Sequence, residues 1–168
     1  FMFGKHTKVI LLSALLGLVV ALLNYLSGAQ TSGSGHQEVL SMLSGEQLGI
    51  EFAIMKYLAT LASFISTIAG GLFMTSISVG AGIGNEAAYL YSQTNPQVIM
   101  IMAMIGYLSG VIRAPLTSAL LVLEMTNSFN LLLPGIMVAF VASIASRQIS
   151  EQPIYEALAD NYLKITQK

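Results

Sequence analysis

Between Val98 and Ala145 the chain runs almost uncharged, carrying only Arg113 and Glu124, yet proline and glycine cut it into short pieces. The pieces are Val98–Ile112, Leu116–Met125 and Leu131–Ala145, with Pro115 between the first two and Pro134 near the start of the third. Proline lacks the N–H that a helix interior requires and sits best at a helix start. Each piece is shorter than the roughly 20 residues with which an upright helix crosses a hydrocarbon core. Lipid leaves backbone polar groups no partner, so such breaks must be buried in protein or line a water-filled path. Helices broken at mid-membrane are one way of building an ion site, and that is the reading adopted here. A plain bundle of tilted, proline-kinked helices is the other reading of the same pattern.

Both readings place the chain in a membrane, and composition supports that. Hydrophobic residues make up 55% of the chain and charged ones 9%, against about 25% charged in soluble domains. The formal net charge is −1 with no basic run, which argues against nucleic acid as a partner. Cysteine is absent, so disulfides and thiolate metal sites are excluded, and His6 and His36 are too far apart in sequence to suggest a metal site. The expected class is an all-α integral membrane protein with several tilted and broken transmembrane helices.

Ahead of the broken region lie two longer segments. The first, 9–26, is apolar apart from Ser13 and Asn24 and spans roughly 27 Å as a helix. Lys5 and Lys8 at its start favour a cytoplasmic N-terminal end. It is long for a signal peptide and lacks a convincing small-residue cleavage site, and an opening of Phe-Met-Phe-Gly reads as an excerpt from a longer protein. A Gly/Ser loop, Ser27–Gly35, leads to a short helix over His36–Ser44 with Val39, Leu40 and Leu43 on one side. The second long segment, 47–69, is interrupted by Glu51 and Lys56, five apart and poorly placed to pair. Ala59, Ala62, Ser63 and Ser66 give it a small-residue side suited to close packing in lipid. The remainder divides into a loop and helix at 70–90, membrane helices at 98–112, 115–126 and 131–146, and an amphipathic C-terminal helix at 153–168 begun by Pro153.

Two constellations carry chemistry. In Gly70-Gly71-Leu72-Phe73 a helix beginning near Leu72 would present amides without intrahelical acceptors, at the positive end of its dipole. Glycines before it allow a sharp turn and close approach to an anion. An uncharged site of that kind can hold chloride without trapping it. The second constellation is Gly110-Val111-Ile112-Arg113-Ala114-Pro115-Leu116-Thr117, continuing to Leu123-Glu124-Met125-Thr126. Pro115 fits a first helical turn. Arg113 faces an aqueous vestibule or bonds to carbonyls ending the previous helix. Glu124 is an intramembrane carboxylate and so a functional candidate, but the favoured reading is structural: a buried or interfacial acid accepting hydrogen bonds.

Gly-Val-Ile-Arg-Ala-Pro-Leu-Thr followed by Leu-Val-Leu-Glu-Met-Thr resembles the signature near the C-terminal end of the CLC chloride channel and transporter family. Gly70-Gly71-Leu72-Phe73 resembles that family's Gly-x-Phe-x-Pro anion loop, and Gln152-Pro153-Ile154-Tyr155 its Pro-Leu/Ile-Tyr. The likeness covers essentially the whole chain and implies the second inverted repeat of a CLC-type fold. It implies that the backbone N–H groups of Leu72 and Phe73 and the phenolic hydroxyl of Tyr155 bind chloride. Gly70, Gly71 and Thr75 would support the loop, with Arg113, Pro115 and Glu124 as structural motif residues. It further implies chloride and protons as transported ions and no cofactor. The setting it implies is a homodimer in a bacterial inner membrane, with the C-terminus cytoplasmic and the N-terminal half of the same protein as partner.

The chain departs from the family pattern at Thr75, which stands where the family has proline. Threonine can adopt the same conformation, and its hydroxyl can cap the helix or touch the pathway. The family's gating glutamate, serine ligand and proton-relay glutamate have no counterpart motif here, and Glu38, Glu46, Glu51 and Glu86 are not substitutes. Channel and antiporter therefore stay open, and these residues alone should not transport. The alternatives are a non-transporting structural half or degenerate homologue, and a fluoride-selective relative, whose loop would carry Glu where this chain has Leu72. An enzyme is disfavoured: there are no paired intramembrane aspartates, no His-Glu-x-x-His and no Gly-x-Ser-x-Gly.

Overall fold

The computed structural model describes residues 3–65, 71–91, 95–150 and 152–154. Among the described residues it is helical throughout: α1 (Phe3–Leu26), α2 (His36–Leu43), α3 (Ile50–Ile65), α4 (Leu72–Leu90), α5 (Pro96–Ile112), α6 (Pro115–Met125) and α7 (Leu132–Ile149), with a 3₁₀ turn over Phe129–Leu131 before α7.

Local chemistry sets most of these limits. α5 starts two residues before the expected Val98, because the Asn95 side chain accepts a hydrogen bond from Gln97 N at 3.1 Å and Pro96 takes the first helical position. α6 likewise begins with Pro115. α3 starts at Ile50 rather than near Gln47, since Leu48 N is drawn off to the Asn85 side chain at 3.2 Å. Pro134 sits in the first turn of α7, where its missing N–H has no intrahelical acceptor to lose. The last piece is therefore longer than its apolar core suggests. Phe129–Ile149 is 21 residues with mean hydropathy 1.9 and only 17% buried, long enough to cross a hydrocarbon core. α5 and α6 remain shorter apolar helices, as expected.

α5 is the central post, packed against α4 on one side and against α6 and α7 on the other. Met100, Met104, Ile105 and Leu108 form the middle of the core with Leu123, Val122 and Ala139. Contact between α4 and α5 is backbone-close. A Cβ at Gly80 would lie 2.8 Å from Met104 Cα, and one at Gly84 2.7 Å from Met100 Cα. Small residues four apart let helices approach where no hydrophobic effect draws them together. α7 uses the same device toward α5: Gly135, Ala139 and Ser143 are buried, and Ser109 Oγ donates to Ala139 O at 2.6 Å. The small-residue side of α7 is thus consumed within the chain rather than left for a second copy. Its outward side carries Leu133, Met137, Val141 and Ile144, all exposed.

α2 also turns differently from the expectation. Val39 and Met42 are buried, while Leu40 is exposed, so the inward stripe is Val39, Met42 and Leu43. The expected C-terminal helix at 153–168 lies almost wholly outside the described residues.

Candidate ion-binding site

α4 begins at Leu72, as its glycine pair suggested. Gly71, at the N-cap, is extended (φ −75°, ψ 124°), and no side chain caps the helix. Leu72 is buried and Phe73 is 39% exposed. The start of the helix opens on a cavity of about 620 Å³ walled by α1, α3, the loop at 31–34 and the first turn of α4. Gly71, Leu72, Met74 and Thr75 line it from α4, and among the described residues no acidic side chain lines it. Oriented first-turn amides at an open hollow are a setting in which an anion is stabilised.

Thr75 does not cap this helix. It lies one turn in, and its hydroxyl donates backward to Gly71 O at 3.0 Å and Leu72 O at 3.2 Å. Its side chain still reaches the cavity wall, so the departure from proline leaves the helix start in place. Gly70 and Tyr155 lie outside the described residues.

Arg113 is the C-cap of α5, in the left-handed region at φ 55°, ψ 32°. The sequence left two places for it, an aqueous vestibule or the carbonyls ending the previous helix; the guanidinium reaches carbonyls at the end of α7. Its Nη2 donates to Ser146 O at 3.0 Å and Ser150 O at 2.6 Å, and its Nε donates to Ser146 Oγ at 3.2 Å. Ser146 Oγ in turn donates to Gly110 O at 2.6 Å, closing the loop back to α5. Left-handed backbone costs a non-glycine residue about 1 kcal/mol, and these charge-assisted bonds to carbonyls at the end of α7 offset it. Arg113 and Pro115 therefore shape the α5–α6 break and hold it to α7. Glu124 departs from the expectation: it is exposed, and its carboxylate accepts no hydrogen bond among the described residues.

One residue was passed over in the sequence. Lys56, considered only as a weak partner for Glu51, is 1% exposed, and its ammonium donates to Thr31 O, Ser32 O and Gly33 O at 3.0, 3.3 and 2.9 Å. It forms part of the wall of the same cavity. A lone lysine inside an apolar segment was the available signal, since an intramembrane charge is a functional candidate by default.

Helices broken at Gly71 and Pro115, polar ties between them, and an uncapped helix start at a hollow define an integral membrane protein of the kind that carries ions. A sequence model of the family described as voltage gated chloride channel matches residues 2–147. The chain belongs to that family, whose members are transporters rather than enzymes and whose transported ion is chloride.

Proposed function

We propose that chloride passes the first turn of α4, held there by the backbone amides of Leu72 and Phe73, with the Tyr155 hydroxyl as a further donor. The observation that carries this reading is the start of α4: an extended, uncapped Gly71 at a cavity with no acidic lining among the described residues. A phenol suits the role because it stays a neutral donor across physiological pH. In this reading transport is chloride/proton exchange rather than passive conduction. The working unit is a homodimer in a bacterial inner membrane with its C-terminus in the cytoplasm. Family membership supports chloride as the ion carried.

The test is made on the full-length protein in liposomes. Tyr155→Ala should weaken chloride binding measured by calorimetry, and unchanged affinity would remove Tyr155 from the site. Exchange predicts that an imposed chloride gradient drives protons uphill; chloride flux with no proton movement identifies a channel.

A further inference from the structure

The loop at 31–33 surrounds the Lys56 nitrogen with three carbonyl oxygens, at 3.0, 3.3 and 2.9 Å. A neutral amine has two N–H groups and an ammonium three, so three simultaneous acceptors are matched by the charged form. Carbonyls satisfy the donors but carry no net charge, so the positive charge itself is left standing. No ion pair joins Lys56 to a carboxylate among the described residues.

The charge is also fixed in place. Ser78 Oγ lies 2.8 Å from Ser34 O, tying the loop to α4, while Thr31 N donates to Ser27 Oγ at 3.2 Å and ties it to the end of α1. Gly35 closes the loop with φ +81°, and any side chain there would come within 2.8 Å of Ser78 Cβ and 3.1 Å of Lys56 Cε. Packed on these sides, the lysine cannot swing away from the cavity whose wall it forms. Across that cavity stands the first turn of α4. Lys56 and the first turn of α4 thus line one hollow, and among the described residues no acidic one lines it.

We propose that Lys56 is a specificity-determining residue for chloride, a locked positive charge in the wall of the α1/α3/α4 cavity that raises anion occupancy in front of α4. The proposal rests on the reading of the α4 start as the anion site. A sphere of the cavity's volume is about 10 Å across. A unit charge acting over that distance at an effective dielectric near 20 changes anion occupancy on the order of tenfold.

The experiment measures chloride affinity by calorimetry and chloride uptake into liposomes, using the full-length protein. Lys56→Gln should weaken chloride binding about tenfold, and Lys56→Arg, which keeps the charge, should stay within about twofold of the parent. Thr60→Glu sets a carboxylate one turn from Lys56 on the same wall without deleting the lysine. It should reproduce the loss, and it keeps the test alive where Lys56→Gln fails to fold. Unchanged affinity in folded Lys56→Gln or Thr60→Glu overturns the proposal, as does a Lys56→Arg variant as weak as Lys56→Gln, which would make the lysine a mere latch. Leu72→Pro separates the two readings, since it removes one amide at a helical position that tolerates proline. If Leu72→Pro binds chloride normally while Lys56→Gln does not, the α4 reading fails and the lysine acts on an anion held elsewhere, which overturns its role in front of α4. If only Leu72→Pro is impaired, Lys56 loses it.

Discussion

Helix α4 has two unlike sides. Toward α5 it is closed: Gly80 and Gly84 press on the backbone of Met104 and Met100 with no room for a methyl group. Near its start it borders a hollow of about 620 Å³, where Lys56 and several hydroxyls share the wall with Val20, Phe64 and Met74. Crowding on one side seats the helix against α5, while the other side borders open space.

This contrast can be broken from either side. The largest effect should come from Gly84→Leu, which drives a side chain into Met100 Cα; a loss of about 3 kcal/mol or more is expected, seen as failure to elute as a single folded species in detergent. Asn85→Ala comes next. It strands Leu48 N and Glu46 O, which Asn85 now serves at 3.2 and 3.1 Å, and should lower unfolding stability by about 1–3 kcal/mol. Arg113→Lys keeps the charge but loses the planar fork that reaches Ser146 and Ser150 together; unfolding free energy should fall by about 1–2 kcal/mol, read as a lower thermal midpoint. Gly17→Ala is the smallest change and should have the opposite sign. Gly17 lines the cavity from α1 and a Cβ there meets nothing within 4 Å, so relief of glycine's backbone entropy should stabilise the fold by about 0.5–1 kcal/mol. If Gly17→Ala proves as harmful as Gly84→Leu, the distinction between a closed and an open side collapses.

The helix order and most boundaries were legible in the sequence, because proline and glycine act locally. Pro115 opens α6, and Gly71 precedes α4, for reasons contained within a turn of chain. What escaped was set by distant partners. Arg113 bonds to the end of α7 rather than to its own neighbourhood, and nothing near Gly110 announces Ser146. Leu40 and Met42 are both apolar, and only the packing of α2 decides which turns inward. Lys56 was visible as a charge in an apolar run, but its acceptors are backbone carbonyls some 23 to 25 residues upstream, which no side-chain pattern reveals. The α4 start was legible through its glycines, and family likeness gave it chemical meaning.

The lysine's dependence on the loop has a consequence for how the protein is made. A lysine at the centre of a membrane helix costs roughly 2.5–3.5 kcal/mol to insert. Here its acceptors lie earlier in the chain, in the loop between α1 and α2, so they leave the ribosome first. α3 can therefore enter the bilayer beside a hairpin already able to take its charge. A deletion within Thr31–Gly33 would then be felt as a defect in the insertion of a different helix.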